Sequence, residues 1–242
     1  MTETARSRSF DRAAEEYELG RPGYPEALLD LVPVDRGASV LDLGAGTGKL
    51  TRVLAARFAR TIAVEPLDGM RAILEREVPA ADAHAGAAEA IPLPDATVDA
   101  VFAAQAYHWF ATDVAVAEIA RVLRPQGLLV LVWNEPNDVR PSPLPNAYRR
   151  RFAELHARRP DDEPDWLEPI DRGPFGAIES GSVEHEQVND RDGILAFAAS
   201  MSWIAHRPGR ERKAILSELA GLLPPGEYTF PMRAEIKWAV RS

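Results

Sequence analysis

The chain has 242 residues, of which 46% are apolar, so it is long enough to bury a sizeable core within one α/β domain. Its formal net charge of −9 disfavours a protein that coats nucleic acid, because neutralising phosphates requires clustered lysine and arginine. It contains no cysteine, which excludes disulfides, thiolate metal sites and a cysteine nucleophile.

Targeting and membrane signals are not found in the sequence. The first residues, MTETARSRSF, contain no apolar stretch of the kind that a signal peptide needs, and no other apolar run is long enough to cross a bilayer. The five histidines lack the spacing of metal ligands. We therefore expect a cytoplasmic protein without a bound metal, a membrane partner or a nucleic-acid partner.

Apolar strands alternate with amphipathic helices through the first half of the chain. Helical patterns come first, at residues 10–19 and 25–32, separated by the break RPGYP. Strands are then predicted at residues 39–44, 61–66, 81–86, 97–105 and 128–134. Between them we predict helices at residues 47–58, 67–78 and 112–123, and a turn at RPQG, residues 124–127. This alternation is typical of a parallel sheet with helices on both faces.

The second half of the chain has a different pattern. Residues 135–146 contain four prolines and are predicted to form a loop. Further helices are predicted at residues 147–158, 193–205 and 209–223, and two more strands at residues 183–188 and 228–241. We therefore predict a doubly wound α/β fold with a seven-stranded, mostly parallel, Rossmann-like sheet and extra C-terminal helices.

The segment VLDLGAGTGKL, residues 40–50, joins a buried strand to a helix through Gly44, Gly46 and Gly48. Glycines at the carboxyl end of the first strand let the backbone turn sharply and let a ligand approach closely. A phosphate-binding loop would need a glycine where Leu43 stands, and the dinucleotide pattern would need one where Lys49 stands. The spacing GxGxG instead suits a nucleoside ligand without a pyrophosphate.

DLGAGTGKLT resembles the first motif of the class I S-adenosylmethionine (SAM)-dependent methyltransferases. The segments FDRAAEEYELGRPGYP and QAYHWF are similar to a bacterial and fungal group within that family that includes trans-aconitate methyltransferase-like proteins. The resemblance implies SAM as cofactor, S-adenosylhomocysteine as product and a small-molecule acceptor. It covers residues 10–134 well, and it leaves the oligomeric state open.

The resemblance also implies which residues hold the cofactor. Glu65 would accept hydrogen bonds from the ribose hydroxyls, and Met70 would pack on the adenine. Many relatives have an aspartate where Ala87 stands, so Ala88 and Glu89 are the remaining candidates for the adenine amino group. The implied cofactor-binding residues are Tyr17, Arg21, Gly44, Gly46, Gly48, Glu65, Pro66, Met70, Ala88, Glu89 and Gln105.

The acceptor is expected to lie near QAYHWF, because this segment follows the fourth strand at the ligand-binding edge. His108 is the candidate general base if the acceptor carries a hydroxyl. A carboxylate acceptor would instead need a cation such as Arg21 or Arg140. The expected substrate-binding residues are Tyr24, Tyr107, His108, Trp109, Trp133 and Trp203.

These assignments predict a single domain over residues 1–242. Lid helices would occupy residues 1–36, a cofactor-binding core residues 37–134, and a substrate cap with the last strands residues 135–242. Two other functions remain open: a non-catalytic SAM-binding or regulatory protein, and an NAD-dependent oxidoreductase. The missing third glycine of the dinucleotide pattern disfavours the oxidoreductase.

Overall fold

The computed structural model describes residues 13–137, 141–156 and 165–242. Several parts of the sequence-based predictions lie outside these ranges: residues 1–12 of the predicted lid, which include the start of the first predicted helix, residues 138–140 of the predicted loop, which include Arg140 as a clamp for an acid, and residues 157–158 of the predicted helix at 147–158. Among the described residues, no helix combines the length and the apolar character that spanning a bilayer would require.

Within the described ranges, seven strands form one mixed sheet in the order β3-β2-β1-β4-β5-β7-β6. The strands are β1 (Ser39–Leu43), β2 (Arg60–Val64), β3 (Asp82–His84), β4 (Val98–Ala104), β5 (Leu123–Pro136), β6 (Glu179–Asp190) and β7 (Glu227–Val240). The seven predicted strands are therefore all present, although their ends differ by a few residues.

Helices separate most of these strands. They are α1 (Ala14–Gly20), α2 (Lys49–Arg57), α3 (Asp68–Glu77), α4 (Asp113–Val122), α5 (Asn146–His156), α6 (Glu168–Arg172), α7 (Arg191–Ser200), α8 (Ser202–Ala205) and α9 (Gly209–Gly221). Short 3-10 helices span Glu26–Leu31 and Tyr107–Trp109. The helix predicted at residues 193–205 is divided in two, because Met201 has an extended backbone with φ −65° and ψ 128°.

Strands β1 to β5 pair in parallel. Strand β7 runs antiparallel to β5: the Arg241 N–H donates to the Gly127 carbonyl, and the Asn137 N–H donates to the Pro231 carbonyl. The predicted doubly wound, mostly parallel sheet is thus confirmed. Strand β1 lies between β2 and β4, where the strand order reverses, and ligands bind such sheets at the carboxyl ends of the strands on either side of that point.

The central strands are buried on both faces. Leu41 packs into one core cluster, to which α4 contributes Ile119. Its neighbour Val40 packs into a second cluster, to which α2 contributes Leu54. All four side chains have no exposed surface. Alternate residues of a strand face opposite ways, so a strand with apolar residues on both faces needs helices on both sides.

The predicted turn at RPQG is wrong, because β5 already begins at Leu123. The pairing jumps from Val98 with Leu123 to Ala100 with Leu128, so the intervening residues bulge out of the strand. Gln126 lies in the left-handed region with φ 64°. Residues 124–127 therefore form an irregularity within β5 rather than a turn that precedes it.

The described residues fall into two compact units. The sheet unit comprises residues 23–135, 165–184 and 233–242, and the helical unit comprises the described parts of residues 1–22, 136–164 and 185–232. The helical unit has its own core, which includes Tyr148, Ile204 and Leu219. The predicted division into lid, core and cap stays a prediction.

Candidate functional site

The glycine turn follows β1 and leads directly into α2. Gly44, Gly46 and Gly48 have φ values of 72°, 58° and 89°, all in the left-handed region that favours glycine. A Cβ on Gly44 would lie 2.8 Å from the Ala106 Cβ, and one on Gly48 would lie 2.7 Å from the Leu74 Cδ1. A Cβ on Gly46 would meet no protein atom within 4 Å. Two of the glycines therefore allow close packing, whereas Gly46 borders open space.

Glu65 follows β2 and connects that strand to the glycine turn. Its side chain is 5% exposed. The Gly46 N–H donates to Oε2 at 2.8 Å, and the Leu67 N–H donates to Oε1 at 2.9 Å. Hydrogen bonds to a carboxylate are among the stronger ones in proteins, so they fix the side chain in place. Each carboxylate oxygen has more than one lone pair, so these bonds are compatible with further hydroxyl donors.

Asp42 lies in β1 beneath the same turn and is 1% exposed. Burial raises the pKa of its carboxyl from the usual 3.8 to about 7. A hydrogen bond from the Thr51 hydroxyl, 2.6 Å long, opposes this shift, and the nearby charge of Glu65 adds to it. The turn thus rests on a carboxyl group that gains or loses its proton near neutral pH.

Gln105 follows β4 and has φ 52°, an unusual conformation for a residue with a side chain. Its N–H donates to the Val132 carbonyl at 2.9 Å, and its Nε2 donates to the Asn134 carbonyl at 3.0 Å. The buried Asn134 in turn donates through Nδ2 to the Gly23 carbonyl at 2.7 Å. These side-chain hydrogen bonds join the carboxyl ends of β4 and β5. A positive φ such as that of Gln105 is a form of backbone strain, and such strain is concentrated at functional sites.

The QAYHWF segment packs on the glycine turn, but Tyr107 does not form part of a rim. Its ring is fully buried in the core and meets Phe110 edge-on, with centroids 5.7 Å apart. Burial raises the pKa of the Tyr107 hydroxyl, and the carboxylates of Asp113 and Asp171 add to the effect. Tyr107 is thus a core residue rather than a residue of the rim that the sequence predicted, and its contact with a substrate stays a prediction.

His108 and Trp109 are half-buried. The His108 ring centroid lies 5.0 Å from that of Trp109 and 5.1 Å from that of Trp166. The sequence analysis did not identify Trp166, which lies in an acidic segment without a clear helical or strand period. Only the fold brings this tryptophan to His108.

The other residues predicted for the sheet unit differ in exposure. Met70 and Ala88 are buried, whereas Pro66 and Glu89 are exposed. Trp133 is half-buried against the same core cluster as Trp109 and Trp166. Tyr24 packs against the cluster on the other face of the sheet. Their roles in binding stay predictions.

Tyr17, Arg21 and Trp203 belong to the helical unit. The Arg21 guanidinium carbon lies 5.1 Å from the Tyr17 ring centroid and 4.9 Å from that of Phe197, and Nε donates to the Ser200 hydroxyl at 3.0 Å. The Trp203 ring packs edge-on against Phe152 at 5.1 Å. Arg21 is thus held by its own unit, and its predicted contact with the cofactor stays a prediction.

Comparisons with known proteins identify the family to which this chain is similar. The methyltransferase-domain family model matches residues 41–131, which contain the glycine turn, Glu65 and QAYHWF. The chain is 38% identical over 217 residues to an uncharacterised methyltransferase of Mycobacterium tuberculosis, covering 90% of this chain and 86% of that protein. It is 43% identical over 98 residues to a malonyl-[acyl-carrier protein] O-methyltransferase of Methylococcus capsulatus, covering 38% and 36% of the two chains.

A solved structure assigned as a type II methyltransferase from Anaeromyxobacter dehalogenans has the same fold. Its TM-score is 0.62 at 30% identity, covering 89% of this chain and 97% of that one. The chain belongs to the class I SAM-dependent methyltransferases.

Proposed function

We propose that this protein transfers a methyl group from SAM to a small-molecule acceptor bearing a carboxylate or a hydroxyl, and releases S-adenosylhomocysteine. The observation that carries the proposal is the environment of Gly46. Its missing side chain borders open space, and its N–H is bonded to the buried carboxylate of Glu65. A nucleoside with ribose hydroxyls and no pyrophosphate fits such a turn.

The residues present fit this cofactor. Gly46 would let the amino-acid part of SAM lie over the turn, and Glu65 would accept hydrogen bonds from the ribose hydroxyls. Met70 would pack on the adenine, and Ala88 and Glu89 are the candidates to accept a hydrogen bond from its amino group. When bound, SAM supplies a methyl group on a positively charged sulfur, which is already electrophilic. The protein's task is therefore to align the acceptor and exclude water.

The type of acceptor decides what His108 does. A hydroxyl must lose a proton on methylation, and His108 is the histidine of QAYHWF, the segment whose Ala106 and Phe110 pack on Gly44. A carboxylate is already ionised and needs no base. The O-methyltransferase named among the relatives supports an oxygen acceptor, and the resemblance of QAYHWF to the trans-aconitate methyltransferase-like group supports a small acid. Arg21 is a candidate cation for that acid.

Calorimetry tests the cofactor. SAM and S-adenosylhomocysteine should each bind with a stoichiometry of one, and NADH should not bind. Binding of NADH but not SAM would contradict the proposal and favour an oxidoreductase. Binding of SAM without release of S-adenosylhomocysteine, across a screen of small acids and phenols, would favour a non-catalytic SAM-binding protein.

His108→Ala separates the two acceptor types. With a hydroxyl acceptor, turnover should fall about 10²-fold or more while SAM affinity is kept, because general-base catalysis typically contributes that much. With a carboxylate acceptor the variant should stay active. Loss of SAM affinity in this variant would instead place His108 in the cofactor site.

A further inference from the structure

Arg121 on α4 uses its whole guanidinium to hold the loop that precedes β4. Its Nε and Nη2 donate to the two carboxylate oxygens of Glu118 at 2.7 and 2.8 Å. Its Nη1 donates to the Leu93 carbonyl at 2.7 Å and to Asp95 Oδ1 at 2.9 Å, and Nη2 donates to the Ile91 carbonyl at 2.9 Å. A guanidinium has five N–H groups in a fixed fork, so all of them are satisfied here.

Glu118 and Arg121 together bind both backbone groups of Ile91. The Ile91 N–H donates to Glu118 Oε2 at 3.0 Å, while its carbonyl accepts from Arg121. The Arg121 carbonyl also accepts from the Ala96 N–H at 2.9 Å, and Ala96 has a positive φ of 49°. The Arg121 and Glu118 side chains are 30% and 22% exposed, so the ion pair is only partly screened by solvent. Helix α4 thereby fixes the path of the loop.

The same loop begins beside Glu65, at the end of β2. The Glu65 N–H donates to the His84 carbonyl at 3.1 Å, which places the end of β3 next to Glu65. A Cβ on Gly86 would lie 3.1 Å from the Val64 Cγ1 and 2.7 Å from the Pro92 Cδ. The loop therefore folds back on itself against β2, and its two ends are tied to β2 and to α4.

The turn between these two ends carries Ala88 and Glu89, the candidates for the adenine amino group. The Ala90 N–H donates to the Ala87 carbonyl at 3.1 Å and closes the turn. Ala88 is buried in the core, whereas Glu89 is exposed. Ile91 follows the turn directly, so the hydrogen bonds from α4 fix the point at which the turn ends.

We propose that Glu118 and Arg121 are positioning residues that hold residues 87–90 in the conformation that recognises the adenine amino group. This inference rests on the proposed function, in which this turn meets the adenine of SAM. The two side chains act through the backbone of Ile91 and need not touch the cofactor. A hydrogen bond contributes to specificity only if its acceptor is held in place by the groups behind it. Releasing the turn should therefore reduce discrimination for the amino group, whereas a general loss of stability would weaken every ligand alike.

Arg121→Lys tests this by calorimetry with two ligands: SAM, and a SAM analogue in which hydrogen replaces the amino group of the purine. Lysine keeps the charge and can still pair with Glu118, but its single ammonium cannot reproduce the fork that binds the loop carbonyls. We expect the unaltered protein to prefer SAM over the analogue by roughly tenfold. In Arg121→Lys this preference should fall towards one, because SAM loses affinity and the analogue does not.

Arg124→Lys is the matched control. Arg124 Nη1 also donates to a carboxylate of the sheet unit, Asp99 Oδ1 at 2.6 Å, but it does so at the amino ends of β4 and β5. This variant should keep the preference of the unaltered protein.

A second variant and a measurement without ligand guard against misfolding of Arg121→Lys. Glu118→Gln removes the charge and one acceptor oxygen, so it should lower the preference for SAM in the same direction. Hydrogen exchange of the Ile91 amide should become faster in both variants, because the Glu118 carboxylate that accepts this N–H is lost or is no longer held by the guanidinium. Exchange within β1 should stay as in the unaltered protein, which would show that the sheet is intact.

The same titrations separate this inference from the proposed function. If SAM does not bind the unaltered protein, the proposed function fails and the positioning role fails with it. If SAM binds but is not preferred over the analogue, only the positioning role fails. Parallel weakening of SAM and the analogue in Arg121→Lys would also overturn that role, and so would an unchanged preference in both Arg121→Lys and Glu118→Gln.

Discussion

The sheet unit and the helical unit build their polar features in different ways. In the sheet unit, the candidate site consists of backbone turns at strand ends: three glycines and Gln105 have positive φ, and a buried carboxylate accepts two backbone N–H groups. In the helical unit, a guanidinium packs on aromatic rings, and α1 meets α7 through Gly20. A site made of backbone turns depends on the spacing of residues along the sequence. A cluster of side chains depends instead on how distant segments of the chain pack together.

The strongest test of this contrast is Gly46→Val. The substitution forces a branched side chain into a left-handed conformation and into the space proposed for the cofactor. We expect SAM binding to be lost in calorimetry while the far-UV circular dichroism spectrum is kept. Gly226→Val is the matched control, because Gly226 also has positive φ and open space around it but lies before β7. Normal SAM affinity in a folded Gly46→Val protein would contradict the assignment of the turn.

Glu65→Ala should have the next largest effect. A hydrogen bond to a charged group contributes roughly 1.5–3 kcal/mol, so SAM affinity should fall about tenfold or more. Because Glu65 also holds the glycine turn, the comparison needs a SAM analogue that lacks the ribose hydroxyls. If Glu65 binds the ribose, this analogue should bind both proteins alike. Equal weakening of SAM and the analogue would show that Glu65 only anchors the turn.

These two predictions concern residues whose places at the sheet edge could be predicted from the sequence, although their roles in binding stay predictions. Gly46 and Glu65 follow successive parallel strands, and the carboxyl ends of such strands meet at one edge of the sheet. The contact between Trp166 and His108 could not be predicted, because it depends on the fit of Gly173 against Val116 and on the pairing of Arg172 with Asp113. Neither of these two contacts produces a periodic pattern in the sequence. The burial of Tyr107 was also missed, since aromatic composition alone does not reveal which ring in QAYHWF faces the core.

Gly20→Ala tests the packing of α1 on α7 within the helical unit. A Cβ on Gly20 would lie 2.1 Å from the Phe197 backbone nitrogen and 2.5 Å from its Cα, and a backbone cannot move aside as a flexible side chain can. Overpacking of this kind typically costs about 1–3 kcal/mol. Hydrogen exchange should therefore become faster in α1 and α7. Gly209→Ala, which meets no atom within 4 Å, should leave exchange unchanged. Unchanged protection in Gly20→Ala would mean that α1 is not packed on α7 in solution.

The last prediction is a pH dependence of stability that belongs to the sheet unit. Burial raises the pKa of Asp42 from 3.8 to about 7, so between these values the folded protein binds a proton that the unfolded chain has released. The free energy of unfolding should therefore fall as pH rises across that interval, by up to about 1.4 kcal/mol per pH unit. In Asp42→Asn this contribution is removed, and urea unfolding at several pH values should show a flatter profile than in the unaltered protein. Thr51→Val removes the hydroxyl that lowers the Asp42 pKa, so it should extend the fall to higher pH. Parallel profiles for Asp42→Asn and the unaltered protein would show that the carboxyl beneath the glycine turn keeps an ordinary pKa.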